Sequence, residues 1–326
     1  MKKKTLTVFI LFLTLSLYAE KDNRIVFCPH WIPQAQFAGF YTALDKGFYK
    51  DAGLEVEIIH PSANVASFKY LESKKADIVS SFLMDAIKVR AGGLPIVNIL
   101  QLSQHSALMF VARRNDGITQ LAHLEGKKIG IWSSGFDDIP VALMKEKGYS
   151  FELVRILNTI NLFMAKGIDG LAVMYYNEYD QIINSGINET ELTTFFMSDF
   201  GYDIPEDGLY CMKHDLQERE EYFRRFAQAT LKGWDYVREN KDYAINLVVE
   251  YMKRANFPNN KAHQRWMLDK VLELIKPGNK AVQPGKLSSE DFYKAIEIIK
   301  IGNSEAINDK LFTYEEFHKP LVYQFK

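Results

Sequence analysis

Three short stretches hold side chains whose types and spacing could do chemistry. The first is Cys28-Pro29-His30-Trp31-Ile32-Pro33-Gln34-Ala35-Gln36-Phe37-Ala38-Gly39-Phe40-Tyr41, which follows the apolar run Ile25-Val26-Phe27. That run reads as a strand, and Phe37, Phe40, Tyr41 and Leu44 recur at helical spacing, so Trp31 falls in a strand-to-helix loop. Open α/β sheets bind ligands at the carboxyl ends of their strands, and an indole there offers a flat apolar face. Taken alone, a Trp is more often a core or lid aromatic. The second stretch, Ser133-Ser134-Gly135-Phe136-Asp137, sits between a strand ending at Trp132 and a helix over Ile139 to Lys147. Its hydroxyls and backbone N–H groups suit an anion or a polar ligand, and equally suit plain helix capping. The third, Tyr176-Asn177-Glu178-Tyr179, ends the buried strand candidate Leu171 to Tyr175. Glu178 can accept hydrogen bonds from an amino group on a ligand, or its carboxylate can cap the helix that follows.

The familiar catalytic sets are missing. There is no Gly-x-Ser-x-Gly elbow, no Gly-x-x-x-x-Gly-Lys-Ser/Thr phosphate loop, no His-Glu-x-x-His and no paired-cysteine motif. Two cysteines with scattered histidines make no metal site, and no cofactor is expected. Cys28 and Cys211 read as two buried free thiols, with a single disulfide as the alternative. His105, in Gln101-Leu102-Ser103-Gln104-His105-Ser106, reads as a satisfied loop histidine.

The elements that must position these residues come from a chain of 326 residues, long enough for two lobes. Hydrophobic residues make up 47% and charged residues 25%, an ordinary globular composition. A formal net charge of −1 and the absence of a basic stripe argue against nucleic acid. Lys2-Lys3-Lys4, the apolar run Leu6 to Leu17 and Tyr18-Ala19-Glu20 predict an export segment cut after Ala19, with a retained anchor as the alternative because Leu17 occupies the −3 position. A periplasmic or secreted mature protein is expected. Strands are predicted over Leu54 to Ile58, Ala76 to Ser81, Pro95 to Leu100, Ala107 to Ala112 and Phe151 to Arg155, and helices over Ala63 to Ser73 and Met84 to Ala91. From Asp215 onward the pattern is helical, with Phe223, Phe226, Ala227, Thr230, Leu231, Trp234 and Val237 on one face.

Trp31, Pro33, Gly39, Tyr41, Lys46, Gly47, Tyr49, Gly53, Leu54 and Val56 match a known opening, a strand then Trp-x-Pro-Asn-x-x-His-x-Gly-x-Tyr, Lys-Gly-Tyr/Phe-Tyr and Gly-Leu-x-Val. Leu124-Glu125-Gly126-Lys127-Lys128-Ile129-Gly130 and Tyr176-Asn177-Glu178 supply a second and a third signature. On these residues the chain resembles solute-binding proteins of ABC importers that capture thiamine-pyrimidine precursors, a fold shared with the fungal enzyme that makes the thiamine pyrimidine. Two positions depart: Gln34 stands where Asn is usual and Phe37 where His is usual.

The resemblance implies an α/β, two-lobed periplasmic binding-protein fold of type II. Each lobe is then a mostly parallel sheet flanked by helices, with two crossover hinges, near Ala112-Arg113 and near Tyr202 to Gly208. Residues 24–111 with 205–326 would form one lobe and 112–204 the other. It implies a monomer that closes on a small pyrimidine or other heteroaromatic ligand and hands it to an ABC permease. Trp31, Phe37 and Tyr176 would stack on the ring. Gln34, Ser81, Phe82, Gln104, Ser133, Ser134, Gly135, Phe136, Asn177, Glu178 and Asp207 would complete the contacts. A ligand-sensing module serving a separate receptor is the alternative role. The synthase reading is disfavoured by Phe37, by the lack of a cysteine cluster and by the expected export segment.

Overall fold

The computed structural model describes residues 23–62, 65–132, 137–157, 159–276, 283–303, 307 and 312–322. The expected export segment lies outside them. Ten strands form two five-stranded sheets: β1 (Arg24–Cys28), β2 (Glu55–Ile58), β3 (Ile78–Phe82), β4 (Ile96–Gln101), β5 (Leu108–Arg113), β6 (Lys128–Trp132), β7 (Glu152–Ile156), β8 (Gly170–Met174), β9 (Leu192–Phe196) and β10 (Asp207–Met212). The first sheet has the order β2-β1-β3-β10-β4 and the second β7-β6-β8-β5-β9, the same pattern twice. β1 runs parallel to β2 and β3, and β6 parallel to β7 and β8, as strand–helix–strand crossovers require. The fourth strand of each sheet is antiparallel to its neighbours. In each case it is the strand with which the chain enters that sheet from the other.

This corrects one boundary. All of β5 pairs in the second sheet, with Val111 opposite Leu171 and Ala112 opposite Gly170. The first crossing is therefore residues 102–107, not the neighbourhood of Ala112-Arg113. The sequence does carry a polar break there, Gln101-Leu102-Ser103-Gln104-His105-Ser106, between two strands that are buried along their whole length. The return lies in residues 201–206, where Tyr202 to Gly208 was expected. The helix expected from Ala63 is also shorter, spanning Phe68–Glu72.

The two crossings are stitched side by side. Leu102 and Ser103 donate their backbone N–H groups to Asp207 O at 2.9 and 3.0 Å. The buried Gln101 amide donates to Ser103 O, Glu206 O and Asp207 O. Glu206 Oε1 accepts the Ser106 hydroxyl at 3.0 Å and the Ala107 N–H at 2.6 Å.

The long helix Lys213–Glu239 packs along the helix Ala38–Asp45 and also touches β4 and β10 of the first sheet. The fully buried Trp234 lies over Gly39, and Gly233 faces the Gly39 carbonyl. A Cβ at Gly233 would stand 2.2 Å from that oxygen. Cys28 and Cys211 are buried and free. Among the described residues no helix is long and apolar enough to cross a membrane.

Gly233→Ala should therefore destabilise the protein by about 1–3 kcal/mol, the usual range for overpacking a close contact. Urea unfolding would show it as a lower midpoint at unchanged slope. An unchanged midpoint would mean that the two helices do not approach this closely.

Candidate functional site

The carboxyl ends of the parallel strands in both sheets point into one cleft of about 440 Å³, its mouth included. β1 ends in the loop that carries His30 and Trp31, β3 delivers Phe82, β6 delivers Trp132, and β8 runs into Tyr176, Asn177 and Glu178. Trp31 and Trp132 meet edge to face across the gap, with ring centroids 6.4 Å apart at 85°. The Trp132 indole is fixed by donating to Ala172 O at 3.2 Å. His30 is pinned by Ser80, whose hydroxyl accepts the His30 backbone N–H and lies 2.8 Å from Nδ1. Phe82 sets its edge against the same imidazole.

A chain of side-chain amides lines the polar end. Gln34 Nε2 donates to Gln36 Oε1 at 2.6 Å. Gln36 Nε2 donates in turn to Asp207 Oδ2 at 2.9 Å and to the Tyr176 hydroxyl at 3.2 Å. The loop after β1 is thus tied directly to the loop after β8 in the other sheet. The second Asp207 oxygen is buried without a hydrogen-bond partner among the described residues, with His30 Nε2 at 3.8 Å. Glu178 is the first residue of the helix Glu178–Asn184. Its Oε2 accepts the Met174 N–H at 2.9 Å and its Oε1 accepts from Asn177 Nδ2 at 2.6 Å. The carboxylate therefore braces its own strand end and also faces the cavity.

Burial dominates the electrostatics, since carboxylates out of water resist ionisation. It pushes Glu178 up to about 7 against the opposing pull of the Met174 N–H. Asp207 rises to about 7 despite the Gln36 amide, and Glu206 to about 8 despite the Ala107 N–H. The same loss of water drives His30 down to about 3, so its ring is neutral. The cavity wall thus offers a neutral imidazole, amides, aromatic faces and acids that readily keep a proton. No Lys or Arg stands among its described lining residues.

Of the residues singled out in the sequence, Trp31, Gln34, Phe82, Tyr176, Asn177 and Glu178 come together on this wall. Asp207 lies just behind it, beneath Gln36. Phe37 does not reach it. The 3-10 turn Ala35–Phe37 rotates that ring into the core, between His30 and His60. Ser81 is buried inside β3 opposite Gly208 and is not on the wall. Gln104 faces away, its amide donating to Gln101 O and Lys286 O. Ser133, Ser134, Gly135 and Phe136 lie outside the described residues. His30, Gln36 and Trp132 line the cavity although they were not singled out. Trp132 was within reach, because it ends its strand as Trp31 follows its own. Gln36 had no signal beyond its nearness to Gln34.

The family model described as "NMT1/THI5 like" matches residues 34–244. The chain belongs to this family. It is 25% identical over 265 residues to the formylaminopyrimidine-binding protein of Halalkalibacterium halodurans, covering 76% of this chain and 77% of that protein. It is 23% identical over 248 residues to the 4-amino-5-hydroxymethyl-2-methylpyrimidine phosphate synthase THI12 of Saccharomyces cerevisiae, covering 72% and 73%. The crystal structure of the periplasmic aliphatic sulphonate binding protein SsuA from Escherichia coli superposes with a TM-score of 0.70 at 12% identity, over 93% of this chain and 94% of that one. This NMT1/THI5-like chain therefore has the two-lobed α/β fold of periplasmic binding proteins.

The raised acids of this NMT1/THI5-like cleft make its stability depend on pH. An acid whose pKa is higher folded than unfolded contributes fully below about pH 4 and loses that contribution as the pH climbs through its folded value. For Glu178, Asp207 and Glu206 the loss runs to about pH 8. His30, His60 and His318 are depressed by burial and act in the opposite sense, but only below their ordinary value near 6.5. Between pH 6.5 and 8 the acids decide, and the unliganded protein should melt at a lower temperature at pH 8. Glu206→Gln should flatten that slope in calorimetry. A melting temperature that rises over this interval would contradict the assignment.

Proposed function

We propose that the protein is an exported, non-enzymatic solute-binding protein that captures a small heteroaromatic ligand and delivers it to an ABC permease. The observation that carries this reading is the cleft itself. Two indoles from opposite sheets, Trp31 and Trp132, face a polar end of Gln34, Gln36, Tyr176 and Glu178. A flat ring gains from burial against aromatic faces, and a few placed polar groups select its edge. Aminopyrimidines suit this end, since Glu178 accepts and Gln36 both donates and accepts. The name of the formylaminopyrimidine-binding relative supports a thiamine-pyrimidine precursor as first choice. In this reading the halves close about the two stitched crossings.

A thermal-shift panel of formylaminopyrimidine, hydroxymethylpyrimidine, riboflavin, amino acids and sugars tests the class. A ligand present at a hundred times its Kd should stabilise the protein by about 2.7 kcal/mol. Heteroaromatic compounds should give the upward shifts, and a response to sugars alone would overturn the reading. Trp31→Ala should weaken the responding compound about tenfold in calorimetric titration, roughly 1.4 kcal/mol, by removing one stacking face. Unchanged affinity would remove Trp31 from the site.

A further inference from the structure

Outside the cavity, one histidine joins the two halves and reaches the cleft acid through a single intermediary. His263 stands near the start of the helix Lys261–Ile275. That helix packs on the helix Lys241–Arg254 and on the turn Ala35–Phe37, and Gln264 Oε1 accepts the Ala35 N–H at 2.7 Å, which anchors it to the first half. Its partners lie in the second half. His263 Nδ1 is 2.6 Å from Asp180 Oδ2, and Nε2 is 3.2 Å from Asn177 Oδ1. Both ring nitrogens thus face oxygens, and both side chains of the ion pair are mostly buried.

Asn177 is held from both sides. Gln181 Nε2 donates to its Oδ1 at 2.8 Å, which leaves its Nδ2 to donate to Glu178 Oε1 at 2.6 Å. His263 Nε2 lies on the Oδ1 side of the same amide. Nearby, Trp266 on the same helix donates its indole N–H to Tyr175 O at 3.0 Å, so the helix is docked at two points.

We propose that His263 is a positioning residue for the cleft: by bridging from the first half to Asp180 and Asn177 in the second, it sets Asn177 to hold Glu178 in the orientation that receives ligand. This rests on the solute-binding reading.

The test combines His263→Phe, Glu178→Gln and the double variant, with formylaminopyrimidine as the probe in calorimetric titration. His263→Phe should weaken binding about tenfold in the otherwise unchanged protein and hardly at all in the Glu178→Gln background, because its effect passes through Glu178. His263→Gln, which keeps one donor, should fall between. Amide exchange of Gln181 and Ile182, in the first turns of the helix after Asn177, should quicken about tenfold in ligand-free His263→Phe. Intact affinity, or losses that simply multiply in the double variant, would overturn the proposal. If the wild-type protein ignores the probe, the ligand reading falls and amide exchange alone decides: quickened exchange upholds the bridge, and unchanged exchange removes it.

Discussion

The architecture depends on satisfying the backbone where the chain passes between its halves. Each sheet takes in one strand that arrives from the other half, and that strand sits antiparallel in fourth place, so both passages run beside each other. A buried connection of this kind leaves polar groups without a ladder, and unpaired ones are costly. Gln101, Ser106, Glu206 and the Asp207 carbonyl answer that need with bonds from each passage to the other. Because these bonds lie at the floor of the cleft, they also fix where the carboxyl ends of the strands meet.

Much of this was legible in the sequence, in places where one residue carries one physical meaning. Gly47, matched as part of the opening motif, does take the left-handed conformation a helix end favours, at φ 76°. The Tyr-Asn-Glu run after a buried strand marked the wall that bears Glu178. The strand-to-helix loop marked Trp31 in the same way. What stayed hidden depended on distance in space. Gln104 looked like a cleft donor, yet the carbonyls that claim it belong to Gln101 and to Lys286, the latter 182 residues away. Phe37 shares its helical phase with the buried Phe40 and Tyr41, which already points it to the core; only its match to the family's histidine position had placed it in the cleft. The crossing was placed at the far end of β5, although the polar run Gln101 to Ser106 already separated the two buried strands.

The cleft also shows how one carboxylate can carry two duties. Glu178 braces the end of β8 through the Met174 N–H, which gives it a fixed place whether or not a ligand is present. Its burial favours the protonated form, so the group can act as donor or acceptor. A capping role and a recognition role are therefore not competitors at this position.

The ion pair between Lys88 Nζ and Asp138 Oδ2, 2.6 Å long, with Asp85 at 3.3 Å, joins the helix Leu83–Ala91 to the helix Asp138–Glu146 across the two halves. Neither Lys88 nor Asp138 is among the described residues of the cavity wall. In a protein that closes on its ligand as proposed, such a clasp would act on the ratio of shut to open molecules, and that ratio would scale the apparent dissociation constant of every ligand by one common factor. Strength of capture and choice of cargo are then set by different residues. Drift at this clasp would retune scavenging to richer or poorer surroundings without altering the menu.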